Sequence, residues 1–224
     1  MTDELIQELR YKRPMDLAIL LLSHVVLLPI WVLVWVVIPL LIWIEDRGPV
    51  FYRHQRMGKN RRIITVCKFR TMVIDADILG PSWKIEGDSR LTKVGSFLRK
   101  AALDEIPSLF SIWKGDLSLV GPKALNAEEQ RLLEEQIPGF EKRLAIRPGL
   151  TGLAQVYNRS DDAESKLQHD LQYMKRMNMW LDCRLILLSV FNTLRAGWDR
   201  RSGKALQTPS SPSRGSSSRR KNDN

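Results

Sequence analysis

The sequence predicts an α+β fold: a small, mostly helical domain with short β segments, anchored by a proline-kinked re-entrant membrane helix and by interfacial amphipathic helices. Residues 17–44 form an uncharged run of 28 residues, and two short β-type segments flank a polar turn near residue 58. Most other apolar residues recur at helical spacing. We divide the 224 residues into an N-terminal basic segment (1–16), the membrane helix (17–46), a cytoplasmic domain (47–198) and a disordered basic tail (199–224).

The apolar run is long enough to cross a bilayer, because about 20 apolar residues suffice for a helical span. Both of its flanks are basic: Arg10, Lys12 and Arg13 precede it, and residues 47–70 hold eight basic residues and no acidic one. Short basic flanks favour the cytoplasm. Pro29 lacks an amide hydrogen and bends a helix. We therefore expect a helix that is kinked at Pro29 and enters and leaves by the same face; a simple single span is the alternative.

The start of this helix is predicted at Asp16, whose side chain suits an N-cap. Lys12 and Arg13 would then lie at the level of the lipid headgroups.

Short β segments are predicted at 49–53 and 62–69, around the turn 57–60. A helix is predicted over 96–106, ending before Pro107, because a residue that precedes proline avoids the α conformation. A second short helix follows from Leu109 to Trp113.

Three further helices are predicted: 125–137, closed by Pro138-Gly139; 163–177; and 180–198. In the last one, polar residues interrupt an apolar pattern of helical spacing, and a tryptophan stands at each end. It is either a core helix or a helix in the membrane interface.

Residues 195–224 hold eight basic and two acidic residues, a net +6 that supplies much of the net charge of +10. From Gly203 onward the composition is mainly Ser, Pro, Arg and Lys, which predicts a disordered tail. Such a tail favours anionic lipid headgroups; a solvated, functionless end is the alternative. We expect no nucleic-acid partner, because too few aromatic residues lie among the bases to stack on nucleobases. Two cysteines, Cys67 and Cys183, exclude a disulfide scaffold.

Candidate chemistry concentrates on carboxylates among basic residues. The sequence contains no GxxxxGK[ST], GxGxxG or HExxH motif, and its three histidines are scattered. The adjacent Asp104 and Glu105 lie between Arg99 and Lys123 in RKAALDEIPSLFSIWKGDLSLVGPK. A carboxylate can attack phosphorus, and Mg²⁺ prefers carboxylate and phosphate oxygens. An acidic pair alone is more often a solvated helix surface.

A second unusual segment is RPGLTGLAQ at 147–155. It is predicted to be a compact turn in which backbone amides and the Arg147 guanidinium can hold an anion. An ordinary turn with a surface arginine is the alternative.

Together these segments resemble one family, the monotopic phosphoglycosyl transferases, which are bacterial sugar transferases that begin lipid-linked glycan assembly. The resemblance runs from Lys12 to about Gly197 and is specific in the order and spacing of its motifs. They are KRPMD (12–16), the proline-broken run, GPVFYRHQRMG (48–58), KFRTM (68–72), RLTKVGSFLRKAALDEIPSLFSIWKGDLSLVGP (90–122), RPGLTGLAQV (147–156) and HDLQYM (169–174).

The resemblance implies transfer of a sugar 1-phosphate from a UDP-sugar to polyprenyl (undecaprenyl) phosphate, with release of UMP. In a ping-pong route, Asp104 would form a covalent aspartyl phospho-sugar and Glu105 would hold Mg²⁺. Arg99 and Arg147 would bind phosphate, and Asp170 matches a further acidic position of the family's active site. Two basic residues of KFRTM, Lys68 and Arg70, would support the same face.

The resemblance also places the protein on the cytoplasmic face of the bacterial inner membrane, as a monotopic enzyme. Its reaction would be the first membrane step of exopolysaccharide, capsule, O-antigen or glycoprotein glycan synthesis. A homodimer is an arrangement that the sequence leaves open. The sugar is open as well: a hexose and an N-acetylated amino sugar are both arguable.

Several positions depart from the family pattern. Leu28-Pro29 replaces the usual Ser-Pro, and Gly121-Pro122-Lys123-Ala124 replaces GPRP, so that a two-pronged arginine contact becomes a point charge. Leu153 replaces a frequent tryptophan, and Tyr157-Asn158-Arg159 replaces Asn-Gly-Arg, changes that bear on donor choice. A non-enzymatic membrane-anchored binding module and a catalytically inactive relative remain as alternatives.

Overall fold

The computed structural model describes residues 8–76, 78, 89–158 and 162–194. Its helices are α1 (Lys12–Val26), α2 (Leu28–Asp46), α3 (Lys93–Lys100), α4 (Leu109–Lys114), α5 (Ala127–Gln136), α6 (Leu153–Tyr157), α7 (Ala163–Arg176) and α8 (Met179–Leu194). Its strands are β1 (Phe51–Met57), β2 (Ile63–Phe69), β3 (Ser118–Val120) and β4 (Gly149–Thr151). Single 3₁₀ segments cover Lys59–Arg61, Leu103–Ser108 and Phe140–Ala145. The predictions for the tail 199–224, Trp198 and Arg159 lie outside the described residues.

The predicted fold class is confirmed at the level of a mostly helical α+β domain with short strands. β1 and β2 form an antiparallel hairpin that pairs Phe51 with Phe69 and Met57 with Ile63. β1 therefore runs four residues beyond the predicted segment 49–53. The turn consists of Gly58, a 3₁₀ segment and Arg62, because the strands stay paired up to Met57 and Ile63.

A second, parallel pair was not predicted. β3 pairs with β4, with Ser118 beside Gly149 and Val120 beside Thr151. The prediction of a simple compact turn at 147–155 is therefore wrong, because Gly149–Thr151 is a strand and α6 follows it. A three-residue strand has no periodicity of its own, so only its partner, some 30 residues earlier in the chain, identifies it.

The apolar run is divided into two helices that meet at Leu27, which has non-helical backbone angles. The indole of Trp31 donates a hydrogen bond across this junction to the Ser23 carbonyl (3.1 Å), and its ring stacks on His24 with 4.5 Å between ring centroids. Among the described residues, one helix, α2, is long and apolar enough to cross a membrane by length and composition. The re-entrant path stays a prediction.

The N-terminal end of α1 differs from the prediction. The helix begins at Lys12, so Asp16 is not its N-cap; Asp16 is buried inside the helix and accepts a hydrogen bond from the Leu119 amide (3.2 Å). Lys12 is not at the headgroup level either, since it is buried, pairs with Asp182 (3.0 Å) and donates to the Val120 carbonyl (2.6 Å). These side chains satisfy backbone groups that would otherwise be buried without partners.

Arg13, also expected at the headgroups, instead donates to the carbonyls of Ile112 and Trp113 at the end of α4. The last carbonyls of a helix have no partner within the helix, so a cation at this end satisfies them.

Both helices of the apolar run pack on the same domain. Leu20 of α1 belongs to a core cluster with Ile64, Val66, Ile112 and Leu117. Ile38 and Ile42 of α2 pack against Phe69 and Leu98. The apolar side chains of α1 and α2 that do not face the domain stay exposed, for example Leu22 (65%) and Val25 (67%).

The predicted helix 96–106 is wrong in its second half. α3 ends at Lys100, Ala102 adopts a left-handed conformation with φ 53°, and a 3₁₀ segment runs from Leu103 to Ser108. Pro107 lies inside this segment and does not end a helix. Proline tolerates the 3₁₀ conformation here because its fixed φ suits a helical turn.

The short helix after Pro107 and the helices near 125–137 and 163–177 are confirmed as α4, α5 and α7. In the described part of α8, Asp182 and Leu185 are fully buried while Trp180 (86%) and Leu187 (70%) are exposed. This helix therefore has one face in the core and an apolar face outside it, and its place in the membrane interface stays a prediction.

Candidate active site

The predicted carboxylates occupy the first turn of the 3₁₀ segment Leu103–Ser108, directly after the left-handed Ala102. Ser108 fixes this segment to β2 through a hydrogen bond from its hydroxyl to the Cys67 carbonyl (2.9 Å). Next along β2, Lys68 forms an ion pair with Glu105. β2 and the 3₁₀ segment therefore bring a lysine of KFRTM to the carboxylate pair.

The two carboxylates differ in protonation behaviour. Burial raises the pKa of Asp104 to about 6, and the Glu105 charge adds to this effect, while Lys68 and Arg99 oppose it. Burial also acts to raise the pKa of Glu105, but the charges of Lys68 and Lys123, with the hydrogen bond from Lys68, outweigh it and lower that pKa. Glu105 is thus held as a carboxylate, and Asp104 can change its protonation state near neutral pH.

Arg99 is held beside the pair by the contact between α3 and the strand region. Its Nε donates to the hydroxyl of Thr71 (2.9 Å). Gly95 makes this approach feasible, because a Cβ there would overlap the Thr71 carbonyl. Thr92 caps α3 by accepting from the Gly95 amide (2.9 Å). The cap and the glycine therefore orient the helix that carries Arg99.

Lys123 reaches the site through the pairing of β3 with β4. The Gly149 amide donates to the Pro122 carbonyl (2.9 Å), and Lys123 forms an isolated parallel bridge with Gly149. The backbones come so close that a Cβ on Gly149 would overlap the Gly121 amide. Both glycines are thus required by the close approach that places Lys123 where its charge lowers the pKa of Glu105.

Sequence reasoning gave no role to His54 and Arg56, two residues of β1 that lie near the carboxylates. The Arg56 Nε donates to the His54 Nδ1 (2.6 Å). Burial, with the charges of Arg56 and Lys68, lowers the pKa of His54 to about 3, so its imidazole is neutral. Alternate strand residues share a face, and Tyr52 pairs with Lys68, so the register of the hairpin would have identified them.

The three remaining predicted site residues form ion pairs away from Asp104 and Glu105. Arg70 forms an ion pair with Asp46 at the end of α2. Arg147 pairs with Glu8 (3.1 Å), and Asp170 pairs with Arg143 (2.8 Å) in the interior. Lys68, Arg99 and Lys123 therefore act electrostatically on Asp104 or Glu105, whereas Arg70, Arg147 and Asp170 engage acidic or basic side chains of their own.

The site carboxylates suit Mg²⁺ as part of its ligand set, with water and substrate phosphate supplying the other ligands. Within the described ranges, no group of three or more His, Cys, Asp or Glu side chains is arranged to hold a metal ion. Mg²⁺ commonly takes one or two carboxylates and completes its octahedron with water and substrate phosphate. Asp104 and Glu105 offer such oxygens, so the residues fit a magnesium ion that arrives with a phosphorylated substrate.

Sequence comparison identifies the family. A family profile described as bacterial sugar transferase matches residues 7–196. The chain belongs to the bacterial sugar transferase family.

Individual members of the family share about a third of their residues with this one. It is 35% identical over 188 residues to UDP-N-acetylgalactosamine-undecaprenyl-phosphate N-acetylgalactosaminephosphotransferase of Aeromonas hydrophila, covering 82% of this chain and 43% of that protein. It is 32% identical to undecaprenyl-phosphate galactose phosphotransferase of Salmonella typhimurium, covering 82% of this chain and 40% of that protein. It is 34% identical to exopolysaccharide production protein PSS of Rhizobium leguminosarum bv. phaseoli, covering 85% of this chain and 98% of that protein. The chain thus spans about two fifths of the first two relatives and nearly all of the third.

Proposed function

We propose that this sugar transferase moves a sugar 1-phosphate from a UDP-sugar to undecaprenyl phosphate and releases UMP. The observation that carries the proposal is the pair Asp104–Glu105, in which burial raises one pKa and the charges of Lys68 and Lys123 lower the other. Relatives named as undecaprenyl-phosphate sugar phosphotransferases support the acceptor.

The reaction proceeds in two displacements. First, an Asp104 carboxylate oxygen attacks the sugar-linked phosphorus, the bond from that phosphorus to the UMP oxygen breaks, and UMP leaves with the electron pair. An oxygen of the lipid phosphate then attacks the same phosphorus, the bond to Asp104 breaks, and the free carboxylate returns. The product is a polyprenyl diphosphate sugar.

The surrounding cations stabilise the charge that the phosphoryl group carries. Lys68, Arg99 and Lys123 surround the carboxylates from β2, α3 and the loop after β3, so they need not reorganise during the reaction. A bound Mg²⁺ would be held by Glu105 and would supply further neutralisation of the phosphate oxygens. The neutral His54 and its partner Arg56 line the same region.

The membrane run is proposed to enter and leave by the cytoplasmic face of the inner membrane. Lys12 before the run and Asp46 at its end are both tied to the same domain, through Asp182 and Arg70 respectively. A site on this face meets a lipid phosphate at the interface and a water-soluble nucleotide sugar from the cytoplasm.

The test is UMP release by purified full-length protein with Mg²⁺, undecaprenyl phosphate and a panel of UDP-sugars. Asp104→Asn and Glu105→Gln are each expected to lower turnover by at least about 10³-fold, the scale on which loss of a nucleophile acts. Glu135→Gln, at an exposed carboxylate on α5, is the matched control and should retain activity. Without acceptor, wild type should form a covalent phospho-sugar adduct on Asp104, seen by peptide mass spectrometry. Wild-type turnover in Asp104→Asn would refute the covalent route.

A further inference from the structure

Arg143 is a buried arginine whose hydrogen bonds lead toward the candidate active site. It lies in the 3₁₀ segment Phe140–Ala145, and its side chain is only 3% exposed. Its Nε donates to Asp170 (2.8 Å), one terminal nitrogen donates to Gln130 (3.1 Å), and the other donates to the carbonyl of Lys123 (2.8 Å). The guanidinium also lies over the Phe140 ring.

Burying this charge is costly unless it is paired and hydrogen-bonded. Asp170, which is 1% exposed, supplies the counter-charge, and Gln130, which is also buried, supplies a neutral acceptor. α5 and α7 thus hold the guanidinium from two sides. The planar guanidinium has a fixed orientation once these contacts form. The terminal nitrogen that also pairs with Asp170 then donates to the backbone carbonyl of Lys123.

The contact matters because Lys123 carries its charge on a flexible four-carbon stem. The ammonium group of such a side chain keeps one position only if the backbone that carries it is fixed. On one side the loop is held by the Gly149 amide, which donates to the Pro122 carbonyl (2.9 Å). On the other side it is held by Arg143, which donates to the Lys123 carbonyl (2.8 Å).

We propose that Arg143 is a positioning residue that fixes the backbone of Lys123, so that the Lys123 ammonium stays beside Glu105, with Asp170 and Gln130 holding the guanidinium. The inference rests on the proposed function. It gives Asp170 an indirect role through Arg143, in place of direct contact with substrate. The competing explanation is that Arg143 and Asp170 only stabilise the fold.

A double-mutant cycle on kcat/KM for UMP release separates the two explanations. Arg143→Lys keeps the charge but cannot reach three acceptors in one plane, and we expect it to lower kcat/KM by about 100-fold, the effect of misplacing a group by about 1 Å. In a Lys123→Met background, the same change should cost no more than about twofold, because the positioned group is already gone. Asp170→Asn should behave in the same way.

Leu133→Ala is the control for lost stability, because Leu133 is buried in the cluster that contains Phe140 and makes no hydrogen bond to Lys123 through its side chain. Leu133→Ala should change kcat/KM by the same factor in the wild-type background and in the Lys123→Met background. If Arg143→Lys also acts by the same factor in both backgrounds, the positioning role is refuted. Thermal unfolding of each variant shows whether it is folded at the assay temperature.

A measurement that does not depend on turnover tests this inference separately from the proposed function. Crystal structures of wild type and of Arg143→Lys should show the backbone at 122–124 displaced in the variant, with the pairing of β1 and β2 unchanged. An unmoved Lys123 carbonyl would overturn the inference even if the enzyme were active. If wild type releases no UMP from any donor, the proposed function fails, and the displacement alone decides the role of Arg143.

Discussion

At the scale of single residues, the site depends on neighbouring carboxylates with different protonation behaviour. The pKa of Asp104 is raised to about 6 mainly by burial, whereas cations lower that of Glu105. A weaker acid is a stronger base, so the raised pKa makes Asp104 the better nucleophile once ionised. The lowered pKa keeps Glu105 charged for a cation. Such a difference between two adjacent carboxylates typically assigns them different roles.

This difference predicts the pH dependence of the first step. Asp104 must be ionised to attack, so the rate of UMP release should fall as the pH drops through about 6, approaching a tenfold loss per pH unit below it. Lys68→Met removes a charge that lowers the pKa of Asp104, so the midpoint should move to higher pH in that variant. Initial rates measured with saturating donor across this range test both statements. A rate that stays constant well below pH 6 would contradict the assignment of Asp104.

Part of the site was predictable because its residues lie within recognisable motifs. Asp104, Glu105, Arg99, Lys68 and Lys123 were predicted and interact with one another in the structure. Other contacts depend on distant segments, and no local pattern specifies them. Arg147 meets Glu8, which is 139 positions away, and Asp170 meets Arg143 from a different element. His54 and Arg56 require the strand register, which the sequence alone left undetermined.

At the scale of elements, the break between α3 and the 3₁₀ segment presents the carboxylates. A continuous helix over 96–106 was expected, since Ala, Leu, Arg, Lys and Glu, which are good helix formers, occupy seven of the eleven positions in SFLRKAALDEI. The structure instead places Ala102 at φ 53°, where L-residues other than Gly and Asn are disfavoured. Packing of the 3₁₀ segment on β2 outweighs local propensity here. Longer periodic helices such as α5 and α7 were predictable, because their patterns extend over several turns.

Strain at Ala102 leads to a prediction about stability. Ala102→Gly should leave the free energy of unfolding unchanged or raise it by up to about 1 kcal/mol, because glycine adopts positive φ without steric cost. Ala102→Val should lower it by about 1–3 kcal/mol, because a β-branched side chain is more strained there. Thermal or denaturant unfolding of the purified variants provides the measurement.

Ala101 is the matched control, since it has φ −88° and an ordinary right-handed conformation. Ala101→Gly should lower the free energy of unfolding by about 0.5–1 kcal/mol, the opposite direction to Ala102→Gly. Equal destabilisation by both glycine substitutions would show that Ala102 is not strained.

At the scale of the whole molecule, α1 and α2 pack on the domain while many of their apolar side chains stay exposed. A straight helix from Lys12 to Asp46 would be about 50 Å long, which exceeds the roughly 30 Å hydrocarbon core of a bilayer. Lys12 and Asp46 nevertheless both bind the same domain. Exposed apolar side chains lie on α1 and α2 and also on α8, for instance Leu22 and Leu187. The exposed apolar surface therefore fits a membrane-associated protein, and the proposed re-entrant path accounts for both ends meeting the same domain.

The topology is testable with single cysteines at the exposed positions Arg10 and Arg47, on either side of the membrane helices. The background carries Cys67→Ser and Cys183→Ser, so that no native thiol reacts. If the proposed topology is right, a membrane-impermeant thiol reagent should label both positions in inverted inner-membrane vesicles and neither in intact spheroplasts, because both ends contact the domain that is proposed to be cytoplasmic. A cysteine at Glu135, an exposed residue of α5, reports the side of the domain itself. Labelling of Arg10→Cys from the periplasm and Arg47→Cys from the cytoplasm would establish a true span. The contacts of Lys12 and Asp46 with one domain could not then both form in the membrane.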